Sequence, residues 1–308
     1  MAGDKRAGTA PRYREGARSP AGLPEPDRCL VMGVVNVTPD SFSDGGAWFE
    51  EGAAISHGLD LVAQGADIVD VGGESTRPGA PRIDADEELR RVCPVVSALV
   101  RAGVPVSVDT MRAEVAEAAL AAGARLVNDV SGGLADPQMQ RLVAGAGVPY
   151  VVMHWRGHSR QMQDRAVYGD VLREVRDELR QRVDAVIGHG VDPAMIVVDP
   201  GLGFAKLPEH NWALLAGLGE IARLGGAGSP FPVLIGASRK RFLGRLLAAA
   251  DGEPRPFAGC DDGTVAISAL AATAGAWCVR VHTVPGNADA VRVAARWRLA
   301  TGRAGEER

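Results

Sequence analysis

Short apolar runs alternate along the chain with longer stretches in which apolar residues recur at helical spacing. The short runs are rich in β-branched residues, as strands are. Several of the longer stretches end in a glycine just before the next run, which is a common helix stop. The pattern predicts eight strands, at residues 30–35, 67–71, 104–108, 126–130, 150–153, 196–198, 232–235 and 278–281. Helices are predicted between them, among others at residues 51–64, 85–101, 112–122, 171–188 and 264–276.

Near-continuous apolar strands separated by helices are typical of a parallel sheet that is covered on both faces. Eight strand–helix units in one chain of this length fit a closed barrel, since such barrels take about 250 residues. We therefore predict the α/β class, with a single (β/α)8 TIM barrel over residues 29–308 and no second domain. Residues 1–28 are rich in Gly, Pro, Ala and Arg and lack apolar periodicity, so we expect a disordered N-terminal extension there.

Polar or glycine-rich clusters end almost every predicted strand. One polar residue at a strand end is more often a turn or cap residue than a functional one. In a TIM barrel, however, all these ends converge on one face, where active sites are built. A whole series of polar ends therefore indicates a site. Its members are Asn36, Gly72, Gly73, Glu74, Asp109, Asn128, Asp129, His154, Asp199, Ser238, Arg239, Lys240, Arg280 and His282.

The composition is that of an ordinary soluble globular protein, with 46% hydrophobic residues, 23% charged residues and a net charge of -4. No basic block or stripe indicates a nucleic-acid or membrane-surface partner. The longest apolar run is too short to span a bilayer. Four widely spaced cysteines without a CxxC motif favour reduced thiols in the cytoplasm over a zinc site or a disulfide framework. Small molecules are thus the expected partners.

Three of the strand-end residues, Asp109, Asn128 and Asp199, supply acceptors suited to a buried, flat, N–H-rich heterocycle. A carboxylate accepts two hydrogen bonds from a guanidine-like edge. Such a site also discriminates strongly, because an analogue without those donors leaves buried acceptors unpaired.

A second set of residues suits a diphosphate and its Mg2+, because it combines donors with one oxygen ligand; it contains Asn36, Arg77, Arg280 and His282. Mg2+ prefers few protein oxygens together with phosphate oxygens and water, so a single Asn carbonyl is a suitable ligand. For His154, packing at a strand end is favoured over an acid–base role.

Lysine is rare in this chain: only Lys5, Lys206 and Lys240 occur among 34 basic residues, and the last two lie in strand-end loops. A compact ammonium suits donation to a heterocycle's carbonyl or ring nitrogen. A Schiff-base aldolase lysine is the rival interpretation. Such a lysine normally lies within an apolar strand rather than in a Ser-Arg-Lys-Arg turn. A helix-capping surface charge is the structural alternative for Lys206.

Seven motifs follow one another along the chain at spacings compatible with the barrel. They are NVTPDSFSDGG (36–46), DVGGESTRPG (70–79), VDT (108–110), NDVSGG (128–133), DPGLGFAK (199–206), GASRKRFLG (236–244) and RVH (280–282). This series resembles the motifs of bacterial dihydropteroate synthases. The resemblance covers the chain from about residue 30 to residue 300 and leaves out only the N-terminal extension.

The resemblance implies a transferase of folate biosynthesis with Mg2+ as cofactor. Similar enzymes condense 6-hydroxymethyl-7,8-dihydropterin diphosphate with 4-aminobenzoate to 7,8-dihydropteroate and diphosphate, and they are sulfonamide targets. Their SN1-like mechanism needs neutralisation of the leaving group and positioning rather than a nucleophile. It further implies a cytoplasmic homodimer.

The matching positions imply a role for each site residue. Asn36 would contact Mg2+, and Lys240, Arg77 and Asp199 would be the catalytic residues. The pterin would be held by Asp109, Asn128, Asp199 and Lys240, and the diphosphate by Arg280 and His282 with Arg77. The 4-aminobenzoate pocket would be shaped by Thr76, Pro78, Phe204 and Ser238, with Phe42 nearby.

Two positions depart from the family pattern: Thr283 stands where aspartate is usual, and Cys260 where relatives tend to carry arginine. Neither is assigned to a substrate. Three alternatives stay open at this point. They are another pterin-binding barrel, such as a corrinoid methyltransferase, a non-catalytic pterin-binding paralogue, and a phosphate-sugar aldolase.

Overall fold

The computed structural model describes residues 18–38, 47–75, 82–157, 162–224 and 230–306. Over these residues, eight parallel strands stand in the order β6-β5-β4-β3-β2-β1-β8-β7. They are β1 (Leu30–Asn36), β2 (Ile68–Gly72), β3 (Val106–Asp109), β4 (Leu126–Asp129), β5 (Tyr150–Met153), β6 (Ile196–Asp199), β7 (Leu234–Ile235) and β8 (Cys278–Val281). A parallel bridge between Val198 and Val233 joins the two edge strands. The predicted TIM barrel is therefore confirmed, and no strand end differs from its predicted position by more than two residues.

Helices cover the outside of the barrel. Across the described residues they are α1 (Ala47–Ala63), α2 (Ala85–Arg101), α3 (Ala113–Ala121), α4 (Met139–Ala146), α5 (Val171–Gly188), α6 (Pro208–Ala216), α7 (Leu218–Ala222), α8 (Arg241–Leu246), α9 (Asp261–Thr273) and α10 (Pro285–Glu306). Asp84 caps α2 by accepting a hydrogen bond from the Glu87 N–H at 2.8 Å. Gly123 follows α3 with a φ of 104°, where a Cβ would stand 2.6 Å from Val100. None of the described helices is long and apolar enough to cross a membrane.

Alternate residues of each strand point into the barrel or outward to the helices. The inward residues near the amino ends form an apolar layer, which consists of Leu23, Leu30, Met32, Ile68, Leu126, Val151, Val197, Leu234, Trp277 and Cys278. Two residues further along four of these strands, the inward positions are Asp70, Asn128, Asp199 and Arg280. The barrel interior is thus apolar at one end and charged at the other, and the charged end is the face that carries the site.

The described part of the N-terminal extension closes the apolar end of the barrel. Leu23 is buried in the interior cluster. Ser19 accepts a hydrogen bond from Trp277 Nε1 at 2.8 Å. Arg28 donates two hydrogen bonds to Asp67, at 2.7 and 2.8 Å. The boundary of the predicted disordered extension therefore needs correction, because residues 18–28 pack on the barrel through these contacts; residues 1–17 lie outside the described residues.

We expect Asp67→Asn to lower the free energy of unfolding by about 1.5–3 kcal/mol, the usual range for hydrogen bonds to a charged group. Asp67 is mostly buried with Arg28 and also accepts the Val31 N–H at 2.8 Å, so the change weakens three hydrogen bonds at once. Urea denaturation measures the effect. The control is Asp289→Asn, whose exposed pair with Arg292 spans 3.3 Å and should contribute less than about 0.5 kcal/mol. Equal losses in the two variants would contradict the proposed anchoring of the N-terminal segment.

Candidate active site

A network of buried charges fills the upper layer of the barrel. Arg280, on β8, donates from Nε to Asp70 Oδ2 and from Nη2 to Asp109 Oδ2, both at 2.6 Å. Asn128, on β4, donates from Nδ2 to the same Asp70 oxygen at 2.9 Å. Side chains from β2, β3, β4 and β8 are thereby connected across the barrel. Predicted site residues Asp109, Asn128 and Arg280 do converge.

The charges in this network shift one another's ionisation. Burial acts to lower the pKa of Arg280, but the carboxylates of Asp70 and Asp109 outweigh it, so the pKa is raised. Burial raises the pKa of Asp109, and the charge of Arg280 offsets only part of that rise. A ligand that donates N–H groups to Asp109 therefore meets a carboxylate that is poorly solvated and short of hydrogen bonds.

Asp199 stands at the end of β6, on the opposite side of the pocket, and faces Lys240. Its Oδ1 accepts a hydrogen bond from the Gly201 N–H at 2.7 Å. Burial raises the pKa of Asp199, and the charge of Lys240 acts against that rise. The two residues form the second predicted cluster, one acceptor and one donor at the same edge of the barrel.

Lys240 is held from below by the turn that follows β6. Its Nζ donates a hydrogen bond to the Leu202 carbonyl and lies 4.3 Å from the centre of the Phe204 ring. A Cβ on Gly203 would fall 2.6 Å from Lys240 Cδ, so the turn requires glycine there. Burial lowers the pKa of Lys240 to about 8. The ammonium is thus directed into the pocket by its contacts and is partly desolvated.

His282 follows β8 and contacts Ser238 from the loop after β7. The His282 N–H donates to Ser238 Oγ at 3.3 Å, and Nδ1 of the ring lies 3.0 Å from the same oxygen. Ser238 is buried, so its hydroxyl orients the histidine; its part in the 4-aminobenzoate pocket stays a prediction. The next residue, Arg239, has a φ of 58°, a backbone conformation that is uncommon for non-glycine residues.

Lys206 lies behind the pocket, bonded to His154. Its Nζ is 3.0 Å from His154 Nδ1 and donates to the Phe204 carbonyl at 3.0 Å. Because the carboxylate of Glu178, 2.9 Å away, can only accept, Nε2 of the neutral imidazole donates to it and Nδ1 accepts from Lys206. Burial lowers the pKa of His154 to about 4 and that of Lys206 to about 7. The alternative of a surface charge for Lys206 is wrong, since the residue is buried; these bonds also account for the burial of His154.

A further cluster joins the two described ends of the segment between β2 and α2, and of its members only Glu74 was among the predicted strand-end residues. Arg112 pairs with Glu88 and, at 3.0 Å, with Glu74, and Thr110 donates to Glu88 at 2.6 Å. Arg112 also donates to the Ile83 carbonyl at 2.5 Å. The available signal was Glu88 itself, an acidic residue that α2 buries. The predicted site residues of this segment, Thr76, Arg77 and Pro78, lie outside the described residues, as does Phe42.

Asp129, one of the polar strand ends, has a structural role. Its carboxylate accepts hydrogen bonds from the Ser131 N–H and hydroxyl, from the Gly133 N–H and from the Tyr150 hydroxyl, at 2.7–2.8 Å. All four donors belong to the next turn and to β5. It therefore holds the loop after β4 while its neighbour Asn128 points into the pocket.

Asn36 ends β1 beside Gly72 of β2, with a partly exposed side chain. Among the described residues, no group of three or more His, Cys, Asp or Glu side chains is placed to hold a metal ion. Of the two departures from the family pattern, Cys260 directly precedes α9, and Thr283 lies between β8 and α10. Thr283 donates to Asp261 at 2.7 Å, and the Cys260 thiol is 3.4 Å from the Pro256 carbonyl. Neither contact involves a predicted site residue.

Comparison with known proteins places the chain among pterin-binding enzymes. The profile of the family described as pterin binding enzyme matches residues 32–282. A dihydropteroate synthase of Mycobacterium leprae is 57% identical over 268 residues, which cover 87% of this chain and 93% of that protein.

Solved structures of dihydropteroate synthases superpose on the whole barrel. The Xanthomonas albilineans enzyme with 4-aminobenzoic acid has a TM-score of 0.78 at 44% identity, covering 91% of this chain and 97% of that one. The same enzyme in complex with 7,8-dihydropteroate has a TM-score of 0.77 at 41% identity, covering 89% and 94%. The Yersinia pestis enzyme with a sulfonamide drug has a TM-score of 0.82 at 36% identity, covering 91% and 98%.

The lysine signals of an NMR titration should report the two buried ammonium groups. The chain contains only three lysines, so a sample with isotope-labelled lysine gives three resolvable side-chain signals. We expect one signal to titrate near pH 8 and to vanish in Lys240→Met, and another near pH 7 that vanishes in Lys206→Met, because burial disfavours both charges. Titration of these two signals near the ordinary value of about 10.4 would contradict the described burial.

Proposed function

Since the chain belongs to the dihydropteroate synthase family of pterin-binding enzymes, we propose that the charged end of its barrel binds both substrates and carries the reaction. The chain is a transferase of folate synthesis. It condenses 6-hydroxymethyl-7,8-dihydropterin diphosphate with 4-aminobenzoate to 7,8-dihydropteroate and diphosphate. The observation that carries the assignment of the site is the convergence of Asp109, Asn128, Asp199, Lys240 and Arg280 in the upper layer.

The pterin ring is proposed to lie among the acceptors. Asp109, Asn128 and Asp199 are all mostly buried and offer carboxylate or amide oxygens to the ring's N–H groups. Lys240, opposite Asp199, donates to the carbonyl or ring nitrogen of the same heterocycle. This arrangement suits a flat ring with donors at its guanidine-like edge, and it rejects rings that lack them.

The diphosphate is proposed to lie at the mouth of the pocket, against Arg280 and His282, with Arg77 from the segment after β2. Charged donors at this position stabilise the charge that builds on the leaving oxygen when the C–O bond breaks. Ser238 orients His282 for this contact.

The reaction is a substitution at the methylene carbon of the pterin. The C–O bond breaks and its electron pair leaves with the diphosphate, so positive charge remains on the pterin and its methylene carbon. The carboxylates of Asp109 and Asp199 stabilise that charge. The amine nitrogen of 4-aminobenzoate then forms the new C–N bond with its lone pair and gives up one proton to solvent. The residues of the site bind, orient and neutralise charge, and none of them has to act as a nucleophile.

Mg2+ is proposed to bind at Asn36 together with the diphosphate oxygens and water. An amide carbonyl is a hard oxygen ligand of the kind that Mg2+ accepts, and the partly exposed side chain stands at the carboxyl end of β1, on the same face as the other site residues. When bound, the ion would neutralise charge on the leaving diphosphate.

The second substrate is proposed to bind beside Phe204, whose ring packs against Lys240, with Ser238 and the predicted residues Thr76 and Pro78 completing its pocket. The same pocket is proposed to be the target of sulfonamides. This order of subsites places the amine nitrogen of 4-aminobenzoate on the side of the pterin that the diphosphate leaves.

The assignment of the site is tested by diphosphate release from purified protein given dihydropterin diphosphate and Mg2+, with and without 4-aminobenzoate. We expect Asp199→Ala and Lys240→Ala to lower kcat/KM by at least about a hundredfold, because each removes a charged contact to the pterin. Circular dichroism should show both variants folded. The control is Cys260→Ala, whose buried thiol contacts no site residue and which should keep wild-type turnover.

Wild-type turnover in either of the first two variants would overturn the site assignment. Release in EDTA at the same rate as with Mg2+ would overturn the proposed metal. Pterin binding without release in the wild-type protein would favour a non-catalytic pterin-binding protein.

A homodimer is also proposed, formed through α9 and α10. Leu270, Val293 and Trp297 are 70%, 64% and 65% exposed on these two packed helices, and a second copy of the chain seated there would remove their apolar surface from water. We further propose a cytoplasmic location, supported by the four cysteines, all of which are free thiols.

Trp297→Arg should convert the dimer to a monomer, because it places a charge at the centre of an apolar contact. Sedimentation velocity at micromolar concentration measures the change. Val167→Arg serves as the control, since Val167 is also strongly exposed but lies on another part of the chain. A wild-type protein that sediments as a monomer would refute the proposed dimer.

A further inference from the structure

Asp70 occupies a central position that the proposed reaction does not use. It lies on β2, two residues before Gly72, and is completely buried. Its Oδ2 accepts hydrogen bonds from both Arg280 Nε and Asn128 Nδ2, at 2.6 and 2.9 Å. One carboxylate oxygen thus contacts a residue assigned to the diphosphate and a residue assigned to the pterin.

The contact with Asn128 decides which end of its amide faces the ligand. A carboxylate is only an acceptor, so the amide nitrogen of Asn128 must point toward Asp70. The amide oxygen is then left for the pocket, where it joins the carboxylates of Asp109 and Asp199. Without Asp70, the amide is free to turn and to present donors to a pterin edge that itself consists of donors.

The contact with Arg280 decides where the guanidinium points. Arg280 is held at Nε by Asp70 and at Nη2 by Asp109. When the pterin donates its N–H groups to Asp109, the Nη2 contact is weakened and that edge of the guanidinium becomes available to the diphosphate. Asp70 keeps the Nε edge in place throughout, because it is completely buried beneath the charged layer.

The other oxygen of Asp70 argues against a purely structural role. Within the described residues, Asp70 Oδ1 is buried without a hydrogen-bond partner, and so is the hydroxyl of Ser107, its neighbour in the β2–β3 register. An unpaired buried carboxylate oxygen is destabilising. The carboxylate of Asp70 is therefore explained better by the orientation of Asn128 and Arg280 than by a contribution to the stability of the barrel.

We propose that Asp70 is a positioning and specificity-determining residue of the reaction, which directs the Asn128 oxygen to the pterin and anchors Arg280 for the diphosphate. The proposal rests on the proposed function of the site.

The test compares two variants of Asp70 by calorimetry with 6-hydroxymethyl-7,8-dihydropterin, which lacks the diphosphate, and by the KM for the diphosphate substrate. Asp70→Asn keeps an oxygen acceptor for Asn128 but loses the charge that anchors Arg280. We expect the Kd of the alcohol to stay within about threefold and the KM of the diphosphate to rise about tenfold or more. Asp70→Ala removes the acceptor as well, so both quantities should rise about tenfold or more.

A double-variant cycle separates positioning from general damage. In an Asn128→Ala background, Asp70→Ala should change the Kd of the alcohol by less than about twofold, because its effect passes through Asn128. The matched control is Ser107→Ala, which removes a neighbouring buried polar group with no partner and should leave both ligands within about twofold.

Three results would overturn the proposal: unchanged affinity for both ligands in Asp70→Asn, unchanged alcohol affinity in folded Asp70→Ala, or an equal loss with and without Asn128. If Asp70→Ala does not fold, the split between alcohol and diphosphate in Asp70→Asn decides alone. A wild-type protein that releases no diphosphate in the presence of 4-aminobenzoate would instead refute the function of the site.

Discussion

The burial of Arg280 between two carboxylates is the interaction on which the rest of the structure depends. A guanidinium inside a barrel is tolerated only if its donors are paired, since an isolated buried charge is strongly destabilising. Asp70 and Asp109 meet that requirement from β2 and β3, each at 2.6 Å. Three strands, β2, β3 and β8, must therefore keep their register for the charge to be tolerated, and the same register brings the proposed pterin acceptors together. The ion-pair network and the proposed binding site therefore share the same residues.

The apolar half of the barrel stabilises the fold and excludes water from one side of the charged half. Inward positions below the network are filled by Leu, Ile, Val and Met side chains, and Leu23 with Trp277 closes the bottom. Water is kept from the network on that side, so the hydrogen bonds of Asp70 are made in a medium of low dielectric, where they are strong. Both the apolar and the charged half of the barrel interior follow from the two-residue period of a strand, in which every second side chain points inward. On β2 the inward residues are Ile68 and then Asp70, and on β4 they are Leu126 and then Asn128.

The sequence was sufficient for the eight strands and for the residues at their ends. Asp109, Asn128, Asp199 and Arg280 were predictable because a parallel barrel brings the carboxyl ends of its strands to one face whatever the loops contain. Asp70 was not, since it stands within an apolar run and its partners lie 58 and 210 residues away. Residues 18–28 were missed for the same reason: their contacts with Trp277 and Asp67 are non-local and leave no periodicity in the segment itself.

The balance of charge in the pocket explains why the reaction needs help from outside the network. In the pocket, the carboxylates of Asp70, Asp109 and Asp199 face the cations of Arg280 and Lys240, while Lys206 lies behind it, bonded to His154. A dihydropterin ring is neutral and fits such a pocket without further compensation, but its diphosphate brings several negative charges. The cations of the network are already engaged by carboxylates and meet only part of that charge. The rest of the diphosphate charge has to be neutralised at the mouth of the barrel. Asn36 ends β1 there and His282 directly follows β8. The proposed Mg2+ and Arg77 would act at the same place. Binding of the ring and departure of the diphosphate are thus assigned to two layers of the same face, and Arg280 is the side chain that belongs to both.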